Sequence, residues 1–176
     1  RAWAEEWSPA LDLSHGAFGF ILFTPWTRLE DLRENLRQIE ATRLHELRGR
    51  LLLSRARLYP DTALYYLAER DGLLMPEYSS TKENSSARYG YLPAIPWRFV
   101  DPLVARVAEL AVEVLEARGH RDEMAVFHAL LELAEREPER LVARELGRAE
   151  VEARVRAPRV EQLKLSLAEL LVRAPR

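Results

Sequence analysis

Residues 19–36 read "GFILFTPWTRLEDLRENL", and residues 50–74 read "RLLLSRARLYPDTALYYLAERDGLL". Each stretch begins as a short apolar run, meets a proline-bearing turn, and continues as a helix pattern. Residues 18–23, "FGFILF", are aromatic, branched and uninterrupted, the composition of a strand buried on both faces of a parallel sheet. Thr27 and Glu30 then stand in the spacing of a capping box. Leu29, Leu32, Leu36 and Ile39 recur at helical spacing and give that helix an apolar stripe, with Gly49 as its stop. The second unit repeats the layout. Residues 51–58 form the strand and Tyr59-Pro60 closes it, because proline cannot continue a ladder. Asp61 is the expected N-cap of the following helix. Leu64, Leu67 and Ala68 lie on its buried face, and Gly72 ends it.

Strands alternating with helices imply parallel pairing through right-handed crossovers. Two such units do not close a sheet, since each strand needs covered faces and paired edges. Residues 76–100 come next as a long connection, first polar ("PEYSSTKENSSARYGY"), then apolar with two prolines ("LPAIPWRF"). Loops this long in a compact domain are commonly functional, and these aromatics suit either a lid or ordinary packing. From Asp101-Pro102 the pattern becomes purely helical, a cap residue followed by proline in the first turn. Val104, Val107, Ala108, Ala111 and Leu115 make the first stripe and Gly119 the stop. Further helices are expected over about 121–136, 139–155 and 160–173. The expected organisation is therefore residues 1–75, a 76–100 loop, and a helical domain over 101–176. Outside the stripes the tail is rich in Glu and Arg, the mark of solvated faces with i,i+4 ion pairs.

Bulk composition narrows the function classes. The chain has 176 residues, 48 % of them hydrophobic and 31 % charged, with a formal net charge of −2. No global basic field or basic aromatic stripe invites nucleic acid. Lysine occurs only at Lys82 and Lys164. With no cysteine, the chain has no disulfide, thiolate nucleophile or Cys-ligated cluster of its own. No run approaches the ~18 apolar residues of a membrane span, and the expected setting is cytoplasmic. His15, His45, His120 and His128 form no ligand set by spacing, and no Ser/His/Asp arrangement or Gly-rich phosphate loop is present.

The two units together resemble the fifth and sixth strand-turn-helix units of radical S-adenosylmethionine enzymes, especially the cobalamin-binding subfamily. "YGYLPAIPWRFVDPLVARVAEL", residues 89–110, resembles the segment after the barrel in that subfamily. The likeness covers roughly residues 14–110. It implies an α/β fold: the last two strand-helix units of a partial (β/α)6 barrel, then an all-helical C-terminal region. It also implies S-adenosylmethionine as cofactor, with a four-iron four-sulfur cluster on a CxxxCxxC loop and a cobalamin in the subfamily, both held outside this chain. The missing N-terminal barrel portion would precede this segment or lie on a cluster-bearing partner chain, and the substrate would be a small molecule or a peptide. In the family's fifth-strand pattern, G-x-I-x-G, Gly19 and Ile21 match, Ile21 being the adenine bed, and Phe23 replaces the second glycine. Leu58 and Tyr59 match the positions whose backbone reaches the adenine edge. Pro60-Asp61-Thr62 matches a Pro-Gly-Thr turn. Trp26 is a candidate substrate wall. Arg55 and Arg57 share one face of the second strand. At a barrel mouth they would bind a carboxylate or phosphate, with Arg57 nearer the mouth. The alternative from a different class is a non-catalytic helical interaction module or degenerate subunit.

Overall fold

The computed structural model describes residues 21–46, 53–75 and 94–157. The chain divides into two compact units, Arg1–Ala105 and Arg106–Arg176. Helix α1 spans Leu29–Ala41, α2 Ala63–Arg70, α3 Pro102–Ala117, α4 Glu123–Arg136 and α5 Pro138–Val142. A further helix occupies residues 148–157.

The barrel reading is overturned in the first unit. Among the described residues there is no strand and no sheet, only three isolated bridges: Phe23 with Arg55 in parallel, and Leu58 with Ile95 and Leu74 with Trp97 in antiparallel. Local chemistry stops each ladder. The amides of Leu22 and Phe23 both converge on the Ser54 carbonyl, each at 3.1 Å, and Ala56 N–H returns to Phe23 O at 2.7 Å. One residue later the Thr24 amide turns away to the Thr27 hydroxyl at 2.8 Å, and Pro25 can donate nothing. The apolar segments are then shared with residues 94–98, expected as loop. Ile95 N–H reaches Leu58 O at 2.7 Å, Met75 N–H reaches Pro96 O at 2.8 Å, and Arg98 N–H reaches Leu73 O at 2.9 Å. Pro96, between the two bridging residues, has no N–H to join them.

Helix positions follow the sequence more closely than helix caps do. Leu32, Leu36 and Ile39 are buried, as their spacing requires. The N-cap of α1 is Arg28, not Thr27, and Asp31 accepts the Arg28 amide at 2.8 Å. In α2 the cap is Thr62, whose hydroxyl accepts Tyr65 N–H at 3.3 Å. Asp61, expected as that cap, instead has φ +63°. Of the expected α2 face only Ala68 is buried, while Leu64 and Leu67 are exposed. Gly72, at φ +65°, ends the helix, with Leu73 N–H closing on Ala68 O at 2.8 Å, as a left-handed C-terminal residue does.

The second unit is built from helices. Val107, Leu110, Ala111, Val114 and Leu115 pack in a core with Phe127, Leu130, Leu133, Leu141 and Val151. Gly119, His120 and Asp122 have positive φ between α3 and α4, and His120 N–H caps Leu115 O at 2.7 Å. The single helix expected over 139–155 is broken. Arg144 adopts φ +62°, and Glu145 N–H closes on Arg140 O at 3.0 Å. The helix expected over 160–173 lies outside the described residues.

Candidate functional site

Between Pro60 and the preceding parallel bridge, the chain alternates. Ala56 and Leu58 are buried, whereas Arg55 and Arg57 are exposed on the opposite side. That side faces an open groove of about 670 Å³ between residues 53–57 and residues 94–97. Its described walls carry two cations and no acid.

The two arginines differ in support. The Arg55 guanidinium carbon lies 4.3 Å from the Trp97 ring centroid and 5.0 Å from that of Phe99. Those rings meet edge to face at 4.9 Å, and Phe99 meets Phe23 likewise at 5.8 Å. The Trp97 indole N–H donates to Ala56 O at 2.7 Å in a buried contact. Arg55 Nη2 donates to Trp97 O at 3.3 Å. Burial against the rings pushes the Arg55 pKa down from its ordinary value, though a guanidinium stays charged. Arg57 lines the same groove but makes no hydrogen bond or ion pair with another described residue. With no barrel there is no mouth for it to guard, and the braced cation is Arg55.

The other expected residues scatter. Gly19 lies outside the described residues. Ile21 is 52 % exposed, and Phe23 and Leu58 are fully buried. The carbonyls at the expected adenine edge already accept internally, Leu58 O from Ile95 and Tyr59 O from the Thr62 amide and hydroxyl. Trp26 is not in the groove. Its indole donates to Asp71 Oδ2 at 2.9 Å, tying the turn before α1 to the end of α2. The Arg70 guanidinium, and then that indole, hold the Asp71 carboxyl below its ordinary pKa. Trp97 and Phe99 were missed as the brace. Their sequence signal was an aromatic pair two apart in "PWRF", which puts both rings on one side of an extended segment.

The chain's donor set does not fit a cluster: it has no thiolate, and among the described residues no three His, Asp or Glu side chains gather as metal ligands. No helix among the described residues is long and apolar enough to cross a membrane. No protein family, curated protein or solved structure matches the chain.

Proposed function

We propose that this chain is the C-terminal portion of a cytoplasmic radical S-adenosylmethionine enzyme of the cobalamin-binding kind. In this reading it supplies part of the adenosyl pocket and a wall for a small-molecule or peptide substrate. The cluster belongs to a preceding segment or a companion chain, and with the cofactor it would supply a 5′-deoxyadenosyl radical. The observation that carries the reading is the turn at residues 60–62. The family has Pro-Gly-Thr there, and this chain puts Asp61 in the left-handed conformation that glycine adopts freely. The next residue, Thr62, caps the helix. The replacement of glycine by aspartate makes positive φ harder to reach, so finding Asp61 at φ +63° supports the reading.

This chain's own residues would bind and orient. Ile21 offers an exposed apolar surface to a planar base, and the Arg55 groove offers a cation to the substrate. Photolabelling of the assembled enzyme with 8-azido-S-adenosylmethionine tests the assignment. Label on the peptide containing Ile21 is expected. Label confined to peptides outside residues 19–62 would overturn it. A second reading, an interaction module, is favoured by the separate helical core of the second unit. It requires that S-adenosylmethionine cleavage by the assembled enzyme be unaffected by Ile21→Glu.

A further inference from the structure

We propose that the groove beside Arg55 binds an amphipathic carboxylate, with the Arg55 guanidinium as the anion anchor and the Ala94–Ile95–Pro96 strip as the apolar wall. The site stands on the groove alone and does not depend on where a cluster is held.

Several other described arginines find acids. Arg37 pairs with Glu34, Arg70 with Asp71, Arg106 with Glu109 and Arg140 with Glu137. Arg55 pairs with none among the described residues. It is stacked on two rings and makes one hydrogen bond, to Trp97 O. A guanidinium has five N–H donors, so five less that one leaves four without a described partner. The rings hold this guanidinium in place with donors to spare, and the space beside it is an open groove with no acid on its described walls, so an anion can enter and take the free donors.

The groove's volume, about 670 Å³, falls in the ordinary range for small-ligand sites. The ligand class is set by its two sides. A planar, ring-braced guanidinium matches a planar carboxylate in a bidentate fork. Phosphate sites usually gather several fixed donors, and here the second cation, Arg57, lines the groove without the ring stacking that holds Arg55. Ala94, Ile95 and Pro96 offer hydrocarbon across from the cation, so the body attached to the carboxylate is apolar.

Titration calorimetry of the intact chain with phenylacetate, neutral phenylacetamide and inorganic phosphate tests this. Phenylacetate should bind, phenylacetamide should give no heat, and phosphate should bind more weakly than phenylacetate. Arg55→Gln should weaken phenylacetate binding on the order of tenfold or more, and Arg55→Lys should recover only part of the loss, since an ammonium cannot form the fork. Arg57→Gln should change it less than about threefold, as a solvated charge does. No phenylacetate binding, equal binding of the amide, tighter binding of phosphate, or an unaltered Arg55→Gln would each overturn the proposal. Should Arg55→Gln not fold, the wild-type Trp97 indole N–H resonance decides. It should shift with phenylacetate and not with phenylacetamide, and an unmoved resonance contradicts the site.

Discussion

Asp61 sits at φ +63° with its carboxylate accepting the Tyr66 hydroxyl at 2.9 Å. A left-handed residue with a side chain costs roughly 1–2 kcal/mol, less for Asp than for most. Asp61→Gly should therefore leave stability unchanged or raised, by up to about 1 kcal/mol, because relief of strain offsets an exposed hydrogen bond. Asp61→Val, β-branched at positive φ, should cost more than about 1 kcal/mol. Urea unfolding of both variants checks the pair, and a stable valine variant would contradict the turn. Glu34 gives a pH expectation. Hydrogen bonds from Arg37, then Gln38, hold its carboxyl down to about 2. A folded pKa below the unfolded one means stabilisation that is complete above the ordinary carboxylate range and fades as pH falls toward about 2. Carboxyl NMR should find the Glu34 midpoint near that lower value and find it raised in Arg37→Gln. A midpoint in the ordinary range would mean the contacts do not persist.

At the scale of elements, Trp97 joins residues 94–98 to the 53–58 segment. Trp97→Phe keeps a ring under Arg55 but strands the Ala56 carbonyl, which is bound in a buried contact. It should cost about 1–3 kcal/mol. Trp26→Phe, which breaks an exposed bond to Asp71, should cost less than about 1 kcal/mol. Equal losses in thermal unfolding would contradict that ranking. In the second unit Arg106 is 7 % exposed, and its Nε has no partner among the described residues. Its acids, Glu109 and Glu113, are about half exposed, so Arg106→Met strands no buried charge, but it takes the buried donor from the Leu146 carbonyl and should cost about 1 kcal/mol. Arg106→Ala should instead cost about 2 kcal/mol or more through the cavity it leaves. The α3 stripe was legible because periodicity is local: Val104, Val107, Ala108, Ala111 and Leu115 are all buried, whereas Leu64 and Leu67 of the expected α2 face are exposed. The failure of the strands was not. "FGFILF" has strand composition, but pairing needs donors in register, and Thr24 and Pro96 remove them at separate places. The site was half legible for the same reason. Two arginines on one face could be read locally, but Trp97, which selects Arg55, lies 42 positions downstream.

For the molecule as a whole, a chain without cysteine can take part in cluster-driven cleavage of S-adenosylmethionine only with thiolates from elsewhere. Under the proposed function, the capped turn would contribute to an active centre completed by another segment, whereas the Arg55 groove is a site of this chain by itself. Two outcomes at this scale separate a catalytic portion from an interaction module. Anaerobic reconstitution of this chain alone with iron and sulfide should give no stoichiometric cluster, and a cluster there would mean its ligands have been misjudged. The most direct measurement is to isolate the native polypeptide anaerobically from its own cells, sequence all of it and whatever stays bound, and assay 5′-deoxyadenosine formation from S-adenosylmethionine. The account predicts a CxxxCxxC segment, continuous with this chain or held to it, together with iron and 5′-deoxyadenosine. A native monomer with no such cysteines and no turnover of S-adenosylmethionine would contradict it.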